Sequence, residues 1–265
     1  MVHRKKDIPP VQAAGQRRPL GPESAVLCRA NDYVAGTVIP LHHHPDRHQL
    51  VYAASGVLVV QAGAGRWVVP STRAIWMPAG VGHKVSCIGA VRMRSLYIQP
   101  GAIKDAATRA ATVSITPLLA ELIGAAAKVV HPYAAHSRDG HLMQLILDEL
   151  QALPVLPLHV PQAADPRLRQ ISDYWEAAPD DASTVQDWAM RLGVDAKTIQ
   201  RLCARELGMT FGQWRQQVRL VRALERLAHG DKVIDVALSQ GYASPSAFTA
   251  MFKKRFGQLP SQFFL

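Results

Sequence analysis

The sequence predicts a two-domain protein in which an all-β N-terminal half, followed by helices, precedes an all-α C-terminal half. A chain of 265 residues is long enough to bury two separate cores. Short β-branched and aromatic runs, separated by glycine and proline, occupy residues 25–99, which is typical of a sandwich or barrel. The last eighty residues instead repeat a pattern of helix, glycine turn and second helix.

Composition restricts the class of protein. Residues 1–20 are basic and contain prolines without the apolar core of a secretory signal, so we expect a flexible arm. The three cysteines form no CxxC pair, which favours reduced thiols in a cytoplasmic protein, and no apolar stretch is long enough to predict a membrane span. The formal net charge of +10 suits a polyanionic partner, although residues 167–265 hold only 14 Lys and Arg against 10 Asp and Glu.

The first predicted domain covers residues 21–153. We expect many short strands within residues 25–99, with examples at 49–53, 56–61, 66–69, 74–77, 84–87 and 91–98. Many short strands at close spacing indicate a small barrel or sandwich. Two helices should follow, at 117–130 and 138–153. An apolar stripe on the second helix either covers the barrel or pairs with its copy in a homodimer.

The two halves are joined at residues 154–165, whose prolines predict a semi-rigid linker. Asp165 before Pro166 suits the start of a helix, because the carboxylate can cap it and proline is favoured in the first turn. The predicted helical domain therefore covers residues 166–265.

Within the helical half one pattern occurs twice. Apolar residues at helical spacing are followed by a glycine and then by a capping side chain, first at Gly193 and Asp195 and again at Gly241 and Ser244. Glycine can adopt the left-handed conformation that turns the chain, and the capping oxygen can accept backbone N–H groups of the next helix. This is the helix-turn-helix layout, and two copies indicate it far more strongly than one.

A long helix is predicted between the two copies. Thr210 can cap a helix over residues 211–228, which should end at His229 and Gly230. Its 18 residues span about 27 Å. A helix of that length can hold two recognition helices near the ~34 Å separation of successive major grooves.

The second copy also resembles a known family. The segment from Gly241 to Pro260, with its phenylalanines, paired lysines and Phe256-Gly257, is similar to the motif of AraC/XylS transcription regulators, and the resemblance covers about residues 165–263. It implies a cytoplasmic regulator that binds a double-stranded DNA operator, forms a homodimer and has RNA polymerase as a candidate partner. The chain departs from many relatives by ending in Phe263-Phe264-Leu265.

The residues that we expect to contact DNA lie on the second helix of each copy. Arg201 can form a bidentate contact with guanine and Gln200 with adenine. Ala250 stands where the family often has arginine, so base specificity should come mostly from the first copy, while the second positions the domain. The expected DNA-contacting residues are Lys197, Gln200, Arg201, Ser246, Thr249 and Lys253.

A group of histidines marks the candidate effector site. Residues 36–49 and 78–83 resemble the two cupin motifs, and alternation along an extended segment predicts that His42 and His44 share a face while His43 points outward. His83 would complete a three-imidazole site. Gln49, preceded by His48, stands where cupins usually have a carboxylate ligand. The site is therefore predicted to bind a divalent metal (nickel, cobalt, zinc or copper) or, without metal, a small organic effector.

These features predict a ligand-responsive, sequence-specific transcription regulator with a cupin-like sensor and a double helix-turn-helix domain. The alternative is a metal-dependent cupin oxygenase or isomerase that carries a DNA-binding appendage. Because Gln49 replaces the expected carboxylate, we predict no enzymatic activity and no required cofactor.

Overall fold

The computed structural model describes residues 24–63, 65–151, 155–156, 160–161, 163–178, 180–256 and 259–263. The predicted arm, residues 1–20, and part of the predicted linker lie outside these ranges. The N-terminal half is rich in sheet and the C-terminal half is helical, as the sequence predicts.

The N-terminal half is built on a single sheet whose strands differ widely in length. Antiparallel pairing follows the order β1-β6-β3-β5-β7-β8, with β2 added to β6 and β4 placed between β3 and β9. Within the described residues this path does not return to its start, so the closed barrel that we expected is not observed there. The strands are β1 Val26–Tyr33, β2 Val38–His42, β3 His48–Ala62, β4 Gly65–Val69, β5 Arg73–Met77, β6 His83–Ile98, β7 Ala111–Ser114, β8 Val155–Leu156 and β9 Val160–Pro161.

Two of the strands are longer than predicted. The runs at 49–53 and 56–61 belong to the single strand β3, and those at 84–87 and 91–98 belong to β6. Gly56, with φ 81°, bends β3 without ending it, and the β3–β6 register shifts at this point. A Cβ on Gly56 would lie 2.3 Å from the Ala90 carbonyl oxygen, so the close approach of the two strands requires glycine here.

Part of the predicted linker belongs to the sheet. Strand β8 pairs with β7, and β9 pairs with β4, both antiparallel. These two pairings extend the sheet with the chain that leads into the helical half.

Two helices, α1 Pro117–Ala126 and α2 Arg138–Gln151, follow the main strands. Thr116 caps α1 by accepting a hydrogen bond from the Leu119 N–H. The buried side chains of α2 pack with those of α1 against strands β1, β3 and β6 in one apolar cluster. Leu145, on the other side of α2, remains 42% exposed. The predicted apolar stripe thus covers the sheet with one part and faces outward with another.

The helical half contains α3 Pro166–Ala177, α4 Val185–Leu192, α5 Ala196–Leu202, α6 Phe211–Ala228, α7 Val233–Ser239 and α8 Pro245–Phe256. A π-helical turn, Cys203–Leu207, extends α5, and a 3₁₀ turn, Pro260–Gln262, follows α8. Among the helices in the described part of the chain, none is long and apolar enough to cross a membrane.

Most predicted caps are confirmed. Asp165 accepts a hydrogen bond from the Arg167 N–H at the start of α3, and Thr210 forms a capping box with Gln213 at the start of α6. The prediction for Asp195 is wrong in one respect, because its carboxylate accepts no capping hydrogen bond from any residue that the structure describes. This side chain is exposed, so water can take the place of the helix N–H groups.

The long helix α6 connects the cores of the helical half. Its first half packs, through Trp214 and Val218, against α3, α4 and α5. Its second half packs, from Leu220 onward, against α7 and α8 and against sheet residues that include Val57 and Val68. The helical half is therefore attached to the sheet through the helix that separates the two predicted motifs.

Candidate effector and DNA-binding sites

Three histidines from two sheet segments meet at one end of the sheet. His42 ends β2, His83 begins β6, and these two residues are partners in the β2–β6 pairing. His44 follows β2 by two residues. One ligand nitrogen from each of the three lies within 4.8 Å of the others. The ring centroids of His42 and His83 are 4.3 Å apart, and that of His44 lies 5.2 Å from the first and 5.6 Å from the second.

Backbone carbonyls orient two of the three rings. Nδ1 of His42 lies 2.7 Å from the Pro40 carbonyl oxygen, and Nδ1 of His83 lies 3.1 Å from that of Val81. Because a carbonyl oxygen only accepts, we assign the ring proton to Nδ1 in both residues. This tautomer leaves Nε2 as the lone-pair nitrogen, which is how metal-binding imidazoles are usually held.

The remaining residues of the predicted effector site occupy other positions. His43 is exposed, as alternation predicts. His48 Nδ1 accepts a hydrogen bond from the Ala79 N–H at 3.0 Å, its ring packs on Trp76, and burial lowers its pKa. The Gln49 amide is 3% exposed and donates to Ser95 and Tyr97, at 3.2 and 3.3 Å. His48 and Gln49 are thus outside the three-histidine group.

Tyr97 links Gln49 to the histidines, and sequence reasoning missed it. Its ring lies edge-on to His44, with centroids 4.9 Å apart. The Tyr97 hydroxyl accepts from the Gln49 amide. Alternation along β6 identifies residues that share a face, but pairing Tyr97 with Gln49 requires the β3–β6 register.

The three imidazoles are suitable ligands for a late first-row divalent metal, and their nitrogens lie near enough to one another to reach a single ion after a small approach. Imidazole nitrogens suit zinc, copper and nickel. Metal–nitrogen distances of roughly 2.0–2.1 Å keep two ligands of one ion no more than about 4.2 Å apart. Pairs near the 4.8 Å limit must therefore approach by at least about half an ångström, and by about 1.4 Å for tetrahedral angles at the ion, which side-chain rotations can supply.

The exposed helix of the first motif carries the predicted DNA-contacting residues. Gly193, with φ 62°, ends α4 in the left-handed conformation, and α5 begins three residues later. Lys197, Gln200 and Arg201 are exposed on α5, whereas Ile199 and Leu202 are buried in the core. The predicted division of α5 into a core face and an outward face is observed.

The second predicted copy of the motif has the same local form. Gly241, with φ 72°, follows α7, and the Ser244 hydroxyl accepts a hydrogen bond from the Ala247 N–H at the start of α8. Ser246 and Lys253 are exposed, and Thr249 is half-buried. Phe248 and Phe252, which point to the opposite side, are fully buried.

An ion pair connects the sheet to the helical half. Arg66 Nη2 on β4 lies 2.7 Å from Glu225 Oε1 on α6, and the Glu225 side chain is only 8% exposed. Arg222 lies 3.5 Å from the other oxygen of the same carboxylate. Burial raises the pKa of Glu225, and the two arginines oppose this effect. No sequence pattern indicates this contact, since the pair joins residues far apart in the chain.

A cleft of about 470 Å³ lies beside this ion pair, between sheet and helices. Leu41 and Lys84, the chain neighbours of His42 and His83, line it together with Arg169 and Glu176 of α3. The strand ends that hold the histidines therefore also face the helical half.

Comparison with known proteins identifies both halves. Residues 24–150 match the AraC-like ligand binding domain, and residues 188–265 match a helix-turn-helix domain. The HTH-type transcriptional regulator NimR of Escherichia coli (strain K12) is 34% identical over 224 residues, which cover 84% of this chain and 81% of NimR. The regulator RipA of Corynebacterium glutamicum is 32% identical over 111 residues, 42% of this chain and 32% of RipA.

Among solved structures, ToxT from Vibrio cholerae aligns over 91% of this chain and 98% of its own, with 9% identity and a TM-score of 0.39. The similarity to NimR is too long to be confined to one half, because it extends over 84% of the chain. Sheet, helices and sequence thus agree, and the chain belongs to the AraC-type transcription regulators, with a ligand-binding domain joined to a DNA-binding helix-turn-helix domain.

Proposed function

We propose that both helix–turn–helix units bind the operator, with α5 and α8 in successive major grooves. The exposed polar faces of these two helices, attached to opposite halves of α6, support this proposal. Arg201 and Gln200 on α5 supply the chemistry for base recognition, whereas α8 offers hydroxyls and Lys253. The chain acts in the cytoplasm, where operator DNA and RNA polymerase are available to it.

We further propose that His42, His44 and His83 bind a divalent metal, with nickel, cobalt, zinc and copper as candidates, and that this metal is the effector. The observation that carries the proposal is the set of three imidazole nitrogens within 4.8 Å, two of them oriented by backbone carbonyls. A metal that draws these nitrogens together moves the ends of β2 and β6. Leu41 and Lys84 would pass this movement to the cleft beside the helical half.

The test combines metal binding with operator binding. Titration calorimetry of the full chain with each of the four ions should give about one bound ion per chain, and the ion should change operator affinity. The double variant His42→Ala/His44→Ala should lose both responses. His43→Ala is the matched control. This neighbouring imidazole is exposed, so its removal should leave metal binding and the metal-dependent change in operator affinity as they are in the wild-type chain.

A small organic effector in the same region is the second candidate. The buried Gln49–Tyr97 pair beside His44 favours it, since the Gln49 amide oxygen can accept a hydrogen bond from a polar ligand. If an organic compound induces the double variant normally and no ion binds the wild-type chain, the metal proposal is wrong.

Oxygen uptake or turnover by the metal-loaded chain would instead support the enzyme alternative, although the relatives compared above are transcription regulators.

We also propose that the chain forms a homodimer through the outward side of α1 and α2. Leu118 is 49% and Leu145 42% exposed there. Leu145→Glu should shift the sedimentation of the chain from dimer to monomer, and an unchanged dimer would assign the contact to another surface.

A further inference from the structure

The two helix–turn–helix units pack on α6 without sharing a core. The apolar cluster of the first unit reaches Val218 on α6, and that of the second begins at Leu220. Within the described residues no buried apolar side chain belongs to both clusters. Each unit is therefore fixed to its own half of the helix, and the angle between the units depends on the stiffness of α6 and on contacts that cross its middle.

Arg219 occupies that boundary, about 12 Å from the start of the 18-residue helix. On one side its Nη2 donates to the Asp181 carbonyl oxygen at 2.8 Å. The Asp181 carboxylate in turn accepts from the Trp175 indole at 3.2 Å and the Ser183 hydroxyl at 2.7 Å. This loop leads directly into Thr184, the N-cap of α4. Arg219 thus holds the entry to the first unit.

The same guanidinium lies against the turn of the second unit. A Cβ built on Gly241 would come 3.1 Å from Arg219 Nη2 and 3.3 Å from its Cζ. The next residue, Tyr242, packs edge-on against Phe248 of α8, with ring centroids 5.1 Å apart. Burial raises the pKa of the Tyr242 hydroxyl, and the positive charge of Arg219 counteracts this effect, as expected for a cation facing the phenol. Arg219 therefore contacts the turn that positions the second recognition helix.

We propose that Arg219 is a positioning residue that fixes the angle between the two DNA-binding units and so sets the half-site spacing of the operator. The inference rests on the proposed use of both units. A bridge that keeps two binding surfaces in register raises the effective concentration of the second contact once the first has formed. Arg219 has no role in contacting bases, since its guanidinium is turned toward the Asp181 loop and the Gly241 turn.

Arg215 provides the matched control. It lies one helical turn before Arg219 and donates to the Ser183 carbonyl oxygen at 2.8 Å, in the same loop. Its contact with the first unit is of the same kind. The three heavy atoms nearest a Cβ built on Gly241, by contrast, all belong to Arg219. Arg219→Met and Arg215→Met therefore remove similar hydrogen bonds, but the first also removes the side chain that lies against Gly241.

The experiment uses operators selected from random duplexes by the full wild-type chain. Affinity is measured for the full operator, for the half bound by the first unit, and for an operator with two inserted base pairs, which rotate the half-sites by about 70°. Arg219→Met should lose on the order of tenfold in affinity for the full operator, bind the half-site as tightly as Arg215→Met does, and lose its discrimination against the insertion. Arg215→Met should retain that discrimination.

Arg219→Lys keeps the charge but replaces the planar fork by a single ammonium, so it should show the same changes to a smaller degree. Half-site binding also reports that a variant is folded. Equal losses for the full operator and the half-site in Arg219→Met, or wild-type spacing discrimination in both Arg219 variants, would overturn the inference alone. A wild-type chain that selects no bipartite operator would overturn the proposed use of both units and this inference with it.

Discussion

Arg201 and Lys253 are exposed cations on α5 and α8, the two helices proposed to bind DNA, yet their chemistry predicts different roles. Arg201→Ala should lose roughly 1–3 kcal/mol of specific binding and relax the preference at one base pair, because a bidentate guanidinium distinguishes guanine from other bases. Binding of the selected operator and of a scrambled duplex by fluorescence anisotropy measures this difference. Equal weakening on both duplexes would show that Arg201 contacts only the DNA backbone.

Lys253→Ala should weaken the same two duplexes alike. An ammonium on a flexible stem binds phosphate as a point charge, and removing one such contact lowers the slope of log affinity against log salt by about one. The measurement repeats both titrations at several salt concentrations. A loss confined to the operator would make Lys253 a base-contacting residue.

At the scale of single elements, the turn before α8 is the most restrictive. Gly241→Val should disable operator binding, because φ is 72° and a side chain would also press on Arg219. The sheet domain has its own core, so metal or effector binding should persist in the variant. Gly193→Val is the companion variant. Gly193 also has a left-handed φ, 62°, but a Cβ built there has no neighbour within 4 Å, so this variant strains the backbone without pressing on another side chain. Wild-type operator affinity in Gly241→Val would contradict the prediction that the turn before α8 requires glycine.

The start of α3 gives a pH-dependent prediction. Hydrogen bonds from the Arg167 guanidinium, which outweigh the opposing effect of burial, hold the pKa of Asp165 at about 2. A carboxyl pKa lower in the folded than in the unfolded state stabilises the fold above the ordinary value of 3.8, and this contribution is lost as pH falls toward about 2. Unfolding followed by tryptophan fluorescence should therefore show a deficit in Asp165→Asn at neutral pH that disappears in acid.

The control for this prediction is Asp195→Asn. It removes a carboxylate from another N-cap, one that has no side-chain capping bond among the described residues. A deficit in Asp165→Asn that persists unchanged to about pH 2 would show that the cap, rather than the charge, stabilises α3.

At the scale of the whole molecule, the Arg66–Glu225 pair holds the sheet against α6. Arg66→Met leaves a buried carboxylate whose remaining cationic partner among the described residues is Arg222, and should lower the free energy of unfolding by about 1–3 kcal/mol at neutral pH. Burial raises the Glu225 pKa above its ordinary value, so ionisation of this carboxyl lowers the free energy of unfolding as the pH rises. The defect of Arg66→Met should therefore shrink in acid.

Urea unfolding of the full chain at about pH 5 and about pH 8 measures this defect. The double variant Arg66→Met/Glu225→Gln should recover stability at the higher pH, because no buried charge remains unpaired. A defect of equal size at both pH values, or no recovery in the double variant, would assign the role of Arg66 to packing.

The sequence alone determined the class of each half and the local features of the helices. Periodicity, Gly193, Gly241 and the caps Asp165 and Thr210 are local signals, because a helix is held by bonds between near neighbours in the chain. The same holds for the alternation that separates His43 from His42 and His44. These features, together with the family resemblance, sufficed to predict a regulator with a sheet-rich sensor and a helical DNA-binding domain.

Tertiary structure decided what depends on contacts between distant parts of the chain. Only the tertiary structure shows that β3 bends at Gly56 instead of ending, brings Tyr97 to Gln49, and separates His48 from the other imidazoles. Only the packing of α6 brings Arg219 to Gly241 and Arg66 to Glu225. Hydrophobic pattern specifies which face of an element is buried, but many partners satisfy that requirement equally, and the choice among them is made by the packing of the whole chain.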